Sequence, residues 1–187
     1  MRNLPPAEIA RLAGVEFEEK TGASGRWVFP ALGHDWQVSW PELTVLREGR
    51  AVPDAAGQIV ILNYLACADG RPLSDEWVPW NVFAVGNMTL SRDRPGYLPP
   101  LTEYFGNNLA AFKNACEKLD GRPADFGDAA YIFNAFPRIP LLVVYSAGDE
   151  EIPAASAVLF DRSASGYLPA EDLSGLVNWI VEAVADL

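Results

Sequence analysis

Two acidic runs are the places where the residue types and spacing of this sequence could support catalysis. Asp69, Asp75 and Glu76 lie in ADGRPLSDEWVPW beside two tryptophans, and the second run is GDEE at residues 148–151. Two carboxyl groups can act as general acid and general base when burial raises the pKa of one of them. Because turn-forming glycine and proline residues flank both runs, we favour turns anchored by tryptophans over an acid/base site.

One histidine and two isolated cysteines are present, and their positions favour structural roles. His34 lies in LGHDW, where we expect it to cap a turn or bond to Asp35; a general base or an axial ligand is the alternative. Cys67 and Cys116 fall on apolar faces, where cysteine usually packs as a small apolar side chain, although the sequence leaves a disulfide open. A catalytic cysteine would need His34 as its base, so we predict no catalytic residue. The spacing of these residues predicts no metal site.

A basic residue among apolar neighbours, together with aromatic side chains, indicates ligand binding. Arg138 lies between two prolines in AFPRIP, and a partly buried arginine requires a carboxylate. Within the chain the candidate partners are Asp149, Glu151 and Asp161. A carboxylate or phosphate of a ligand is the alternative. Because aromatic surfaces with a few polar anchors suit a planar ligand, we predict that the ligand-binding residues are Trp77, Trp80, Arg138, His34 and Tyr64.

Turn and capping signals divide the chain into helices and strands that do not alternate regularly, which favours an α+β fold over a doubly wound sheet. Asp54 is suited to cap a helix over residues 55–68, with a buried strand as the alternative. Residues 154–161 suit either a helix or a strand. The other predicted helices span residues 5–14, 101–121 and 169–187, and Gly14 is the predicted stop of the first of them. The other extended segments span residues 26–33, 34–46, 76–86, 129–139 and 140–148, and Trp36, Val38 and Trp40 alternate in the second of them.

The length and composition fit a single globular domain over residues 1–187, in which a mainly antiparallel sheet packs against three to four helices. The net charge of −11 argues against nucleic acids and anionic membranes as partners, because both repel an acidic surface. No apolar run is long enough to span a bilayer, and the first residues lack the apolar core of a signal peptide, so we expect a cytoplasmic protein. The common nucleotide-binding and hydrolase motifs are absent.

Two long blocks of the sequence resemble a known family. They are ILNYLACADGRPLSDEWVPW and FGDAAYIFNAFPRIPLLVVYSAGDEEIPAASAVLFDRSASGYLPAEDL. On these blocks the chain resembles the family called domain of unknown function 3786. The resemblance implies an origin in anaerobic bacteria or archaea, where some relatives carry an added iron–sulfur domain similar to one found in corrinoid iron–sulfur proteins. This chain lacks the cysteines for such a cluster, and the family offers no established catalytic residues to transfer.

The resemblance, the aromatic content and the missing catalytic motifs lead us to expect a binding module of anaerobic metabolism rather than an enzyme. Its expected ligand is a tetrapyrrole-like or corrinoid-like cofactor, or a redox partner protein. The first alternative is a carboxylate-dependent, hydrolase-like enzyme that uses Asp69, Glu76, Asp149 or Glu151. The second alternative is a purely structural or interaction protein, which would expose a contiguous apolar patch and form a dimer.

Overall fold

The computed structural model describes residues 4–20, 24–31, 33–83 and 100–186. Within these ranges it contains two antiparallel sheets of five strands each and five α-helices, which confirms the predicted α+β class. The helix count exceeds the predicted three to four because one predicted long helix is divided in two. None of the described helices has the length and apolar character that a membrane span requires.

The first sheet is a meander in which each strand pairs with the next one along the chain. Its strands are β1 (Glu16–Glu19), β2 (Gly25–Ala31), β3 (His34–Trp40), β4 (Val45–Arg47) and β5 (Arg50–Ala51). Buried and partly exposed side chains alternate along β2 and β3, as the pleat of a strand with one solvated face requires. Trp27, Phe29 and Trp36 therefore point towards the core.

The second sheet has the strand order β6-β10-β9-β8-β7. Its strands are β6 (Trp77–Pro79), β7 (Arg122–Ala124), β8 (Ala129–Phe136), β9 (Ile139–Ser146) and β10 (Ala155–Asp161). Because β8 and β9 pair antiparallel, the β8–β9 turn lies at one end of this sheet, and the β7–β8 and β9–β10 turns lie at the other. Eight-residue strands separate the two ends by about 23 Å.

The five helices cover and connect the sheets: α1 (Pro6–Ala13), α2 (Ala55–Cys67), α3 (Leu101–Phe105), α4 (Leu109–Lys118) and α5 (Ala170–Ala185). The predicted cap of α2 is confirmed, because the Asp54 side chain accepts hydrogen bonds from the backbone N–H groups of Ala56 and Gly57. Gly14 ends α1 in the left-handed conformation, with φ of +68°, as its position after the last apolar residue predicts.

Two sequence-based expectations change in the structure, and one alternative that the sequence left open is decided. Residues 101–121 form two helices, because Gly106 has φ of +55° and the Asn108 side chain starts a new helix by accepting a hydrogen bond from the Ala111 N–H. Residues 154–161, left open between helix and strand, include strand β10. The predicted extended segment 76–86 is a strand only over Trp77–Pro79 and continues as a 3₁₀ turn, and residues 84–86 lie outside the described residues.

Aromatic rings from both sheets and from the helices are stacked on one another in the core. The Tyr64 ring of α2 stacks on the Phe136 ring of β8 at 4.4 Å between centroids, and Phe29 of the first sheet lies 6.0 Å from Tyr64. A second stack joins Phe112 of α4 to Tyr145 of β9 at 4.6 Å. These rings contribute to stability through contact with each other.

Candidate functional site

The phenol of Tyr64 joins three parts of the chain. Its hydroxyl donates a hydrogen bond to the carbonyl oxygen of Ala13 in the last turn of α1, at 2.5 Å. The same hydroxyl accepts a hydrogen bond from the backbone N–H of Arg138 in the β8–β9 turn, at 3.1 Å. Burial raises the pKa of Tyr64 well above its usual value, so the hydroxyl keeps the proton that it donates. Tyr64, a predicted pocket residue, thus positions its neighbours from within the core.

Arg138 lies exposed on the two-residue turn between β8 and β9. Its side chain passes directly over Gly14, where an added Cβ atom would lie only 2.6 Å from Nε of the arginine. The C-terminal end of a helix carries partial negative charge, so the end of α1 stabilises a guanidinium in this position. Glycine at position 14 therefore makes room for the arginine.

The predicted pairing of Arg138 with a carboxylate of the chain is not observed. None of the ion pairs among the described residues includes Arg138. Asp149 and Glu151 lie in the β9–β10 turn, at the far end of the second sheet. Asp161 is buried and is held by hydrogen bonds from other residues. The charge of the Arg138 guanidinium is therefore not balanced by any of these three carboxylates.

The buried carboxylate of Asp161 fixes the loop that precedes β6. It accepts hydrogen bonds from the backbone N–H and the hydroxyl of Ser74, at 3.0 and 2.9 Å, and from the N–H of Asp75 at 2.8 Å. Burial alone would raise the pKa of Asp161, but hydrogen bonds from Ser163 and Ser74 outweigh burial and lower it. The loop therefore has a defined position next to the end of β10.

Arg71, in the same loop, is held from three sides. Its guanidinium forms a salt bridge with Asp69, with 2.5 Å between Nη2 and Oδ2. The hydroxyl of Tyr167 donates a hydrogen bond to the Arg71 carbonyl oxygen. A Cβ atom on Gly166 would lie 2.3 Å from Nε of Arg71, so only glycine leaves room for this arrangement. The Asp69 side chain also accepts a hydrogen bond from the backbone N–H of Arg71 at 3.0 Å, which is a local turn contact.

The two arginines flank the same buried phenol. Burial raises the pKa of Tyr167, and the nearby positive charges of Arg138 and Arg71 act in the opposite direction. The Tyr167 ring in turn stacks on the ring of Tyr64, with 6.1 Å between centroids. We refer to the surface formed by Gly14, Arg71 and Arg138 as the Arg138 face.

Trp77 and Trp80 differ in their exposure. Trp77 begins β6 opposite Asp161 and is half-buried, at the same end of the second sheet as the β8–β9 turn. Trp80 is buried, and its indole N–H donates a hydrogen bond to the carbonyl oxygen of Ala170 at 2.8 Å, at the start of α5. Trp80 therefore anchors the start of α5 to the core. Trp77 is the tryptophan of the pair whose ring remains partly accessible to solvent.

His34 contacts a different turn. It begins β3 in the first sheet, and its Nδ1 lies 3.5 Å from Oε1 of Glu48 in the β4–β5 turn. The same carboxylate accepts a hydrogen bond from the backbone N–H of Asp35 at 2.8 Å. His34 was expected to cap a turn or bond to Asp35; the partner that the structure gives it is Glu48.

The acidic residues that could act as acid and base lie at opposite ends of the second sheet. Glu76, at the Arg138 end, pairs with Arg162 at 2.6 Å, and this hydrogen bond lowers the pKa of Glu76. Asp149, at the other end, accepts backbone hydrogen bonds from Ile152 and Glu151, which lower its pKa. Both carboxyl groups are therefore ionised at neutral pH and are poor proton donors.

Neither cysteine forms a disulfide. Cys116 is completely buried, and burial raises the pKa of its thiol to about 12, which suppresses its reactivity. Among the described residues, no group of three or more histidine, cysteine, aspartate or glutamate side chains is arranged to hold a metal ion.

Three residues of the site were not among those predicted to bind a ligand. Gly14 and Arg71 belong to the Arg138 face, and Tyr167 supports it through its hydrogen bond to Arg71. Gly14 was recognisable as a helix stop, although nothing in the local sequence shows that Arg138 lies over it. The hydroxyl of Tyr167 reaches Arg71 across 96 positions of sequence, and no local pattern predicts such a contact.

Comparison with known proteins identifies the family without adding a function. No curated protein and no solved structure matches this chain. The family model described as Domain of unknown function (DUF3786) matches residues 5–183, which include Gly14, Tyr64, Arg71, Arg138 and Tyr167. The match confirms the resemblance seen in the two sequence blocks and covers nearly the whole chain. The protein is therefore a member of the DUF3786 family.

Proposed function

We propose that this protein is a binding module and that the Arg138 face binds a small ligand through a carboxylate or phosphate group. The observation that carries the proposal is the exposed guanidinium of Arg138, which forms no ion pair with a described residue and stands on a turn whose backbone is bonded to the buried Tyr64 hydroxyl. A planar guanidinium with several N–H donors suits the two oxygens of such an anion.

Preorganisation of the arginine supports this function. The Arg138 backbone is bonded to the Tyr64 hydroxyl, and its side chain lies in the space left by Gly14. An arginine on a fixed backbone loses less conformational freedom when a ligand binds than one on a mobile backbone, so more of the interaction energy becomes affinity. Arg71 has its charge matched by Asp69, which leaves Arg138 as the stronger anchor for an anion.

A tetrapyrrole-like or corrinoid-like cofactor is the finer proposal within this ligand class. Haem carries propionate carboxylates, and cobalamin carries a phosphodiester in its nucleotide loop, and an arginine can bind either group. The half-buried ring of Trp77 lies at the same end of the second sheet and offers an aromatic surface for a planar ligand. Because Tyr64 and Trp80 are buried in the core, their rings support the site rather than line it.

The arrangement of the carboxylates favours binding over carboxylate catalysis. An acid/base pair requires two carboxyl groups close to the same bond, with one of them kept protonated. The two acidic runs lie at opposite ends of the second sheet, and the pKa values of Glu76 and Asp149 are lowered rather than raised.

Titration calorimetry and absorbance spectroscopy test the proposal with inorganic phosphate, haemin and cyanocobalamin as probes, each of which carries a phosphate or carboxylate group. We expect at least one probe to bind, and the variant Arg138→Gln to weaken its binding about tenfold or more, since a charge-assisted pair is lost. Arg122→Gln is the matched control, because Arg122 is also exposed and also forms no ion pair with a described residue. Absence of binding by all three probes, or equal effects of the two variants, would contradict the proposal.

A further inference from the structure

Two turns of the second sheet meet at the end opposite the Arg138 face, and we call residues 125–128 and 147–154 the acidic end. The Asp128 side chain accepts a hydrogen bond from the backbone N–H of Ala147 at 2.8 Å, which joins the two turns. The Asn107 side chain accepts a hydrogen bond from the N–H of Gly148 at 3.0 Å, which connects them to the segment between α3 and α4. The chain itself therefore holds this surface in a defined shape.

The charge of this surface is entirely negative. The two turns contain five carboxylates and no basic residue. None of the five forms an ion pair with a residue that the structure describes. The negative charge is therefore available to a partner. The five residues are Asp125, Asp128, Asp149, Glu150 and Glu151.

Apolar side chains are exposed among these charges. Ile152, in the β9–β10 turn, is 66% exposed, and Phe126, in the β7–β8 turn, is 46% exposed. Tyr104, on the short helix α3 that leads to Asn107, is also 46% exposed. Three of the six exposed large apolar side chains in the described part of the chain thus lie in or beside the acidic end. Single exposed apolar side chains are common on protein surfaces, so what distinguishes these three is their position in or beside two turns with five carboxylates that form no ion pair with a described residue.

We propose that the acidic end is a docking surface for a partner protein that presents lysine or arginine side chains around an apolar patch. Phe126 and Ile152 supply apolar anchors of the kind that dominate binding energy, and the surrounding carboxylates attract and orient a basic partner. Two copies of the acidic end do not fit each other, because both surfaces are negatively charged and repel. This surface is separate from the proposed ligand site, since about 23 Å of sheet lies between them.

The first test uses the full chain labelled with ¹⁵N and two synthetic peptides of equal length. One peptide places lysine and leucine at amphipathic helical spacing, and the other replaces each lysine with glutamate. We expect the lysine peptide to shift the NMR signals of residues 125–128 and 149–152, and the glutamate peptide to shift none of them. The Kd of the lysine peptide should rise about tenfold between about 50 mM and about 300 mM salt, because salt screens exposed charges.

Matched variants then separate specific docking from general attraction to an acidic protein. The double variant Phe126→Ala/Ile152→Ala should raise the Kd about tenfold, as the loss of central anchors does in protein interfaces. The control Ile59→Ala removes a side chain that is 54% exposed on α2 and should change the Kd less than about twofold. Peptide signals that map elsewhere, equal effects of the two variants, or no binding at low salt would overturn the proposal.

Discussion

The hydroxyl of Tyr64 accepts a hydrogen bond from the backbone N–H of Arg138, although 74 positions separate the two residues in the sequence. A phenol that is fully buried in the core thereby sets the position of a turn on the surface. The same hydroxyl donates to the carbonyl oxygen of Ala13, so that helix α1 and the β8–β9 turn are aligned by one atom. The stability of the core and the geometry of the Arg138 face are therefore coupled.

Replacing Tyr64 with phenylalanine tests this coupling. The variant keeps the ring that stacks on Phe136 but leaves the Ala13 carbonyl and the Arg138 N–H without their partner, so we expect the free energy of unfolding to fall by about 2 kcal/mol. Urea denaturation measures the change. Tyr104→Phe is the control, because its half-exposed hydroxyl should contribute less than about 0.5 kcal/mol. Equal urea midpoints for the two variants would show that the Tyr64 hydroxyl does not hold the site together.

Replacing Gly14 with alanine tests the contact with Arg138. Both Gly14 and Gly49 have positive φ angles, of +68° and +72°, so alanine at either position costs about 1 kcal/mol of backbone strain. Only at position 14 does the new Cβ meet the arginine, since no atom lies within 4 Å of a Cβ at position 49. We therefore expect Gly14→Ala to weaken binding of phosphate, haemin or cyanocobalamin and Gly49→Ala to leave it unchanged. Calorimetric titration of both variants measures the change in affinity. Unchanged binding by Gly14→Ala would contradict the inference that the contact between Gly14 and Arg138 matters for ligand binding.

Asp161 should make the stability of the protein depend on acid pH. An unfolded aspartate has a pKa of about 3.9, and the folded pKa of Asp161 is lower, so the unfolded chain binds a proton first as the pH falls. The stabilisation is thus complete at neutral pH and is lost below about pH 4. Asp161→Asn should cost about 2 kcal/mol at pH 7, because hydrogen bonds to a charged group are lost.

Urea midpoints for the wild type and Asp161→Asn at pH 7, 5, 4 and 3 measure this dependence. We expect the difference between the two proteins to shrink once the pH falls below about 4. Asp35→Asn, at an exposed position, is the control and should cost less than about 0.5 kcal/mol at pH 7. If the difference between the urea midpoints of the wild type and Asp161→Asn stays constant down to pH 3, the titration of Asp161 does not cause the loss of stability in acid.

The two cysteines should differ sharply in reactivity. With its pKa raised to about 12 by burial, Cys116 has only about one thiolate in ten thousand molecules at pH 8, and its sulfur is shielded from reagents. Cys67 is only partly buried and should react faster. Mass spectrometry after treatment with iodoacetamide distinguishes the two sites. We expect Cys116 to be modified only after urea unfolds the protein, and rapid modification in the native state would contradict its burial.

Local signals in the sequence were sufficient for much of the fold. Asp54 and the apolar run after it predicted the start of α2, and Gly14 predicted the end of α1. Both predictions succeed because capping and left-handed turns depend on neighbouring residues. The alternation of Trp36, Val38 and Trp40 predicted β3 for a similar reason, since the pleat repeats every two residues. The same logic failed at residues 101–121, where Gly106 and Asn108 interrupt an otherwise helical spacing of apolar residues.

The candidate site could be predicted only in part. Arg138 stood out because it is charged among apolar neighbours, but the prediction gave it Asp149, Glu151 or Asp161 as a partner. Strand pairing places Asp149 and Glu151 at the other end of the sheet, and Asp161 is already held by N–H groups of a loop that is distant in sequence. The tryptophans were predicted as a pair, yet the short strand β6 leaves one half-exposed and buries the other.

The sequence by itself determined the helices and strands with clear caps, the α+β class and the family, because these depend on residues close together in the chain or on matched blocks of sequence. Tertiary structure alone decided that Gly14 and Tyr64 both contact Arg138, and that the Arg138 face and the acidic end lie at opposite ends of the second sheet. The physical reason is that such contacts arise from the packing of distant segments, which no local pattern of residues records.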